Sequence, residues 1–141
     1  MKNLMKRLKD QRGLTLIELL AVVVILGIIA AIAVPSIGAI IQNSKEDAVR
    51  ADAVQVLNAA KLYAASNNIE AATTFTDTGT NTLEDYLDFN GTSYSITITP
   101  ATAATNGYTY TDISVKVDKL EIVKASEEDV LDGDATVTDV K

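Results

Sequence analysis

Arg12-Gly13 closes a basic segment, and an apolar run begins at once: Leu14-Thr15-Leu16-Ile17-Glu18-Leu19-Leu20. A single carboxylate, Glu18, stands fifth in that run. From Leu19 through Ile41 the only polar side chain is Ser36. An ionisable group at the centre of a bilayer helix costs about 2.5–3.5 kcal/mol on insertion scales. Leucine would serve a simple anchor better. Glu18 therefore either sits near the membrane interface or is kept to pair with a cation. The chemistry on offer is a charge pair in a dry setting, not bond cleavage. The chain has no histidine and no cysteine, which removes Ser-His-Asp and Cys-His catalysis and the commonest zinc ligand. No convincing paired-carboxylate motif replaces them, so the sequence argues against an enzyme. Without cysteine, an exported domain must hold together by packing or with a metal ion rather than by disulfides.

The stretch from Arg12 to Glu18 resembles the prepilin cleavage motif of type IV pilins and pseudopilins. The resemblance covers about the first 65 residues. It implies that a prepilin peptidase cuts after Gly13 and methylates the new amino terminus at Leu14. It implies that Glu18 aligns the next subunit by pairing with that subunit's terminal amine. The family usually begins its mature chain with phenylalanine, so Leu14 is a departure, while the glycine the peptidase most needs is present. Gly27 and Pro35 fall where many pilins carry a glycine and a proline, between which the helix loosens on assembly.

Net charge is −7 over 141 residues, unevenly spread. Lys2, Lys6, Arg7, Lys9 and Arg12 against Asp10 make residues 1–13 a basic leader of net +4, which leaves −11 on the rest. A basic head before an apolar span sets orientation, head in the cytoplasm and acidic bulk outside. An acidic exterior argues against direct nucleic-acid contact, which needs clustered Lys and Arg.

Residues 14–41 form a helix of about 42 Å at 1.5 Å per residue, more than the roughly 20 residues that span a bilayer. It reads in three ways. It is a signal anchor, or a secretory signal cut near Ala31-Ile32-Ala33 to start at Val34, or a pilin helix. Glu18 inside the supposed signal core, and Ile37, Ile40 and Ile41 beyond the supposed cut, count against the second. Gly27 and Ala31 make a small-xxx-small step that permits close helix contact. Pro35 removes a backbone donor and weakens its turn.

Residues 42–66 turn amphipathic. Val49, Ala53, Val56, Ala60 and Tyr63 share one face, with Leu57 and Ala64 widening it. Lys45, Glu46, Asp47, Arg50 and Asp52 face solvent or a neighbour. The helix should stop near Asn67-Asn68. Residues 67–93 have loop composition, with a short helix expected from Thr82-Leu83-Glu84-Asp85 and Leu83, Tyr86 and Leu87 turned inward. Asn90-Gly91-Thr92 reads as a turn or a glycosylation sequon. Three or four antiparallel strands follow. Tyr94, Ile96 and Ile98 alternate, Asn106-Gly107 marks a turn, and the phase shifts near Thr111-Asp112, which predicts a bulge. Leu120 and Ile122 offer a strand after a turn at Asp118-Lys119. The acidic run from Ser126 to Asp134 reads as a solvated turn, with calcium the weaker alternative. Residues 135–140 read as a last edge strand with Val137 inward.

The expectation is an α+β, type IV pilin-like fold. A long N-terminal helix, half transmembrane and half amphipathic, packs on a small antiparallel sheet in the globular head, residues 67–141. The expected function is a major-pilin-like structural subunit of a type IV pilus, with a pseudopilin of competence or type II secretion as the alternative. The implied partners are the peptidase, identical and related subunits, a membrane assembly platform, and membrane lipid before assembly. The expected location is the cytoplasmic membrane, single pass with the N-terminus in, then a filament on the cell surface. No cofactor is expected beyond calcium at the acidic tail.

Overall fold

The computed structural model describes residues 15–100, 102 and 107–140. The chain divides after Ile41 into two units, residues 1–41 and 42–141. Helix α1 spans Leu16–Ser66 and contains both Gly27 and Pro35 without interruption. In the first unit α1 is bare: every large apolar side chain from Leu16 to Ile41 is at least 46% exposed. A Cβ added at Gly27 or Gly38 would meet nothing within 4 Å. Nothing within the subunit therefore requires glycine at either place.

The second unit is an α+β head. Its strands are β1 (Thr73–Thr76), β2 (Ser93–Thr99), β3 (Thr109–Val117), β4 (Leu120–Ala125) and β5 (Val137–Asp139). They pair in chain order as an all-antiparallel meander. The α1 stripe of Val49, Ala53, Val56, Leu57, Ala60 and Ala64 is buried as its spacing predicts, and Ala59 joins it. It shares one core with Tyr94, Ile96 and Ile98 of β2, Tyr110, Ile113 and Val115 of β3, and Ile122 of β4. Strand β2 alternates strictly between buried and half-buried residues, because only its inner face meets the helix.

The predicted phase shift is a bulge. Between Ser95 and Thr97 of β2, partner residues on β3 jump from Ser114 to Thr111. Asp112 absorbs the extra residue at φ 52°. A second bulge follows on β4, between the partners of Ile113 and Val115, with Lys124 at φ 51°. The β3–β4 hairpin turns at Asp118, also left-handed at φ 53°. Aspartate tolerates that region better than most residues.

Three expectations need correction. The loop-like Thr73-Thr74-Phe75-Thr76 is the edge strand β1, which makes the sheet five-stranded rather than three or four. Phe75 decides this: it is 2% exposed and packs edge-on against Tyr63, centroids 4.7 Å apart. The segment from Thr82 forms a turn, not a helix, closed by the Tyr86 N–H donating to the Leu83 carbonyl at 2.9 Å. Leu83 is buried and Tyr86 and Leu87 are half-buried, as expected. The Leu83 N–H donates to the Tyr94 hydroxyl at 2.9 Å, which ties the turn to β2. The acidic tail is not a simple turn. Ser126 caps a short helix, α2 (Glu127–Asp132), and Gly133 closes it in the left-handed region at φ 76°.

Two predictions follow from these contacts. A Cβ at Gly91 would overlap the Phe89 ring, whose Cε1 and Cε2 would lie 2.8 and 2.9 Å away. That ring packs edge-on against Tyr94 at 5.2 Å. Gly91→Ala should therefore cost about 1–3 kcal/mol by overpacking, read as a lower unfolding midpoint in denaturant. The Asp129 carboxylate accepts from the Ser126 hydroxyl and N–H at 2.6 and 2.9 Å. These bonds hold it below the ordinary aspartate range. A depressed carboxylate lends stability that is present above its unfolded pKa and lost as pH falls through its folded one. Amides of α2 should therefore exchange faster on acidification below the usual aspartate range, and Asp129→Asn should abolish that step.

Candidate functional site

The N-terminal motif is the site at issue. Gly13 and Leu14, the expected cleavage and methylation positions, lie outside the described residues. The structure begins at Thr15 and shows what surrounds Glu18.

Thr15 is the N-cap of α1. Its carbonyl accepts from the Leu19 N–H at 3.1 Å, the first bond of the helix. Its hydroxyl oxygen accepts from the Glu18 N–H at 3.3 Å. Glu18 answers with one carboxylate oxygen, Oε2, which accepts from the Thr15 N–H at 2.8 Å and from its hydroxyl at 2.7 Å. This is a reciprocal capping box, Thr-x-x-Glu. A helix start leaves backbone N–H groups without partners, and in lipid each such group is costly. Glu18 supplies the acceptor, and the positive end of the helix dipole favours its charge there. Only Oε2 is engaged by these bonds. The arrangement can hold a carboxylate in an apolar stretch and leave its second oxygen for a cation.

Thr15 was not singled out by sequence reasoning, although Thr-Leu-Ile-Glu followed by apolar residues carries the signal. The remaining predicted residues are not brought to this point. Gly27 and Pro35 lie further along the same helix, both on its uncovered stretch. Helical geometry through both residues describes the isolated subunit. Pro35 has no N–H to donate to the carbonyl of Ala31, so the helix lacks a bond there.

The acidic tail, Ser126 to Asp134, lies wholly within the described residues. Among the described residues, no group of three or more His, Cys, Asp or Glu is placed to hold a metal. Its carboxylates are directed elsewhere: Asp129 to the Ser126 cap, and Glu127 to Lys61 of α1 at 2.6 Å. The Lys61 ammonium also lies 5.8 Å from the centroid of the Tyr110 ring. That contact ties α2 to the helix and the sheet, and the sequence held no hint of it.

The capping box predicts a local effect. Thr15→Ala should raise amide exchange across the first turn of α1 about fivefold, the loss expected for an N-cap worth about 1 kcal/mol. The measurement is hydrogen exchange on the full chain in detergent micelles, with the head as an internal reference.

Residues 8–34 match the family of the prokaryotic N-terminal methylation motif. Type II secretion system core protein G of Vibrio cholerae serotype O1 is 35% identical over 69 residues, 49% of this chain and 47% of that protein. The chain thus spans about half the length of the curated relative it matches. No solved structure matches the chain significantly. A methylation motif thus overlaps the capped, carboxylate-bearing start of an uncovered apolar helix that leads into an α+β head, and over about half its length the chain is similar to a type II secretion core protein.

Proposed function

We propose that this chain is the repeating structural subunit of a type IV pilus, made as a membrane-held precursor and polymerised through its N-terminal helix. One observation carries the reading: α1 leaves its whole apolar stretch uncovered, with a single carboxylate at its start. Such a helix is soluble in lipid or in a bundle of its own kind. At about 25 cal/mol per Å² of apolar surface, burial among neighbouring helices supplies the assembly energy. Gly27 and Ala31 permit close approach in that bundle.

Peptidase cleavage after Gly13 would free the amine of Leu14, and methylation would keep it cationic. Glu18 then pairs with the amine of an adjacent subunit through the oxygen the capping box leaves open. Misdocking would leave a charge unpaired in a dry setting, which costs several kcal/mol, so the pair selects axial register. Gly27 and Pro35 bound the segment that loosens on assembly. The precursor spans the cytoplasmic membrane once with its N-terminus inside, and an assembly platform extracts it into a filament on the cell surface.

The similarity to a type II secretion core protein favours a second reading, in which the filament is a short pseudopilus. Both readings share the N-terminal chemistry, and filament length and abundance separate them.

The test combines intact mass with variants. The surface-extracted protein should begin at methylated Leu14. Glu18→Leu should insert into membranes normally yet yield few filaments by electron microscopy. A chain starting at Val34, or normal filaments from both Glu18→Leu and Glu18→Ala, would remove the basis of the reading.

A further inference from the structure

The head carries a groove of about 740 Å³ between residues 42–49 of α1 and residues 117–120 of the β3–β4 hairpin, with Asp139 of β5 at its side. Val49, Val117 and Leu120 give it an apolar lining, and its charged residues are Lys45, Lys119, Asp118 and Asp139. All four are exposed. The ion pairs among the described residues are Arg50–Asp47 and Lys61–Glu127, so none of the four charges in the groove is matched by one.

The position of the groove along the chain matters. Gln42 is the first residue past the apolar run, and Lys45 stands one turn further. Leu19 to Ile41 is long enough to span a bilayer with some tilt. Gln42 and Lys45 then fall in the headgroup layer, which occupies about 5–7 Å on each side of the hydrocarbon core. A groove lined by these residues therefore opens where lipid headgroups lie. Two ammonium groups and two carboxylates would suit a ligand carrying one charge of each sign. A purely anionic headgroup would leave both aspartates facing like charge.

We propose that this groove seats the zwitterionic phosphoethanolamine headgroup of a membrane phospholipid while the subunit waits in the bilayer. The phosphate lies toward Lys45 and Lys119, and the ammonium toward Asp118 and Asp139. The proposal rests on the membrane-spanning reading of residues 19–41 but not on the kind of filament. It gives the subunit a headgroup to release when it leaves the membrane.

The test uses the full chain in detergent with equal amounts of phosphatidylethanolamine, phosphatidylglycerol and phosphatidylcholine, read by native mass spectrometry. Phosphatidylethanolamine should be retained in preference to the other two. Lys45→Gln combined with Lys119→Gln should reduce that retention about tenfold, since each lysine near a lipid surface contributes on the order of a few-fold in affinity. Asp118→Asn combined with Asp139→Asn keeps the left-handed turn open to Asn and should shift preference to phosphatidylglycerol. Equal retention of the three lipids, or retention unchanged in the lysine pair, overturns the proposal. So does a protein dimer that both variant pairs dissolve while no lipid is held, since the groove is then a contact between copies. Carbonate extraction of the same protein from membranes tests the spanning reading separately.

Discussion

An apolar helix with no partner among the described residues is the constraint on which the rest of this molecule depends. From Leu16 to Ile41 the helix leaves each large side chain about half exposed or more. Water cannot host that surface, so the stretch needs lipid or other helices. The head has a core of its own. Val49, Ala53, Val56, Leu57 and Ala60 are fully buried in it, and they begin only after the apolar run has ended. One helix thus serves two solvents, with Gln42 as the crossing point.

Within that constraint, the carboxylate at the start of the helix has two uses. It completes the first turn, where backbone donors would otherwise face hydrocarbon. It also keeps an acceptor free. Thr15 makes these uses compatible by drawing both of its bonds to one oxygen. A leucine at position 18 would remove the charge and also take the side-chain acceptor from the Thr15 N–H, leaving the half of the capping box that Thr15 supplies. The residue is therefore structural and interactive at once, and a defect in assembly reports on both.

Much of this was legible in the sequence because it rests on local periodicity. The α1 stripe, the β2 alternation, the bulge at Asp112 and the last edge strand at Val137 each follow from spacing of two or of three and four. What was missed rests on tertiary contact. Thr73–Thr76 reads as loop until Phe75 finds Tyr63. The turn at Leu83 looks like a helix start until the Tyr94 hydroxyl takes its N–H. The pairing of Lys61 with Glu127 joins residues far apart in sequence, and no local pattern announces it. The two capping boxes are a different case. Thr15–Glu18 and Ser126–Asp129 are written in the sequence, but a lone charge in an apolar run reads as a partner for a cation and an acidic run as a solvated turn, and neither reads as a cap. The groove between residues 42–49 and the β3–β4 hairpin was invisible, since its walls meet only in the folded head.

The lengths of the outermost strands have a consequence of their own. The sheet ends on four-residue β1 at one side and three-residue β5 at the other. The β1 edge is further occupied where the Thr76 N–H donates to the Asn81 carbonyl at 3.0 Å. Long, flat edges recruit strands from other molecules, and short ones resist it. Many copies of this head can therefore stand side by side at high local concentration without fusing into a continuous cross-strand ladder. On the proposed function, association of copies is then left to the helices.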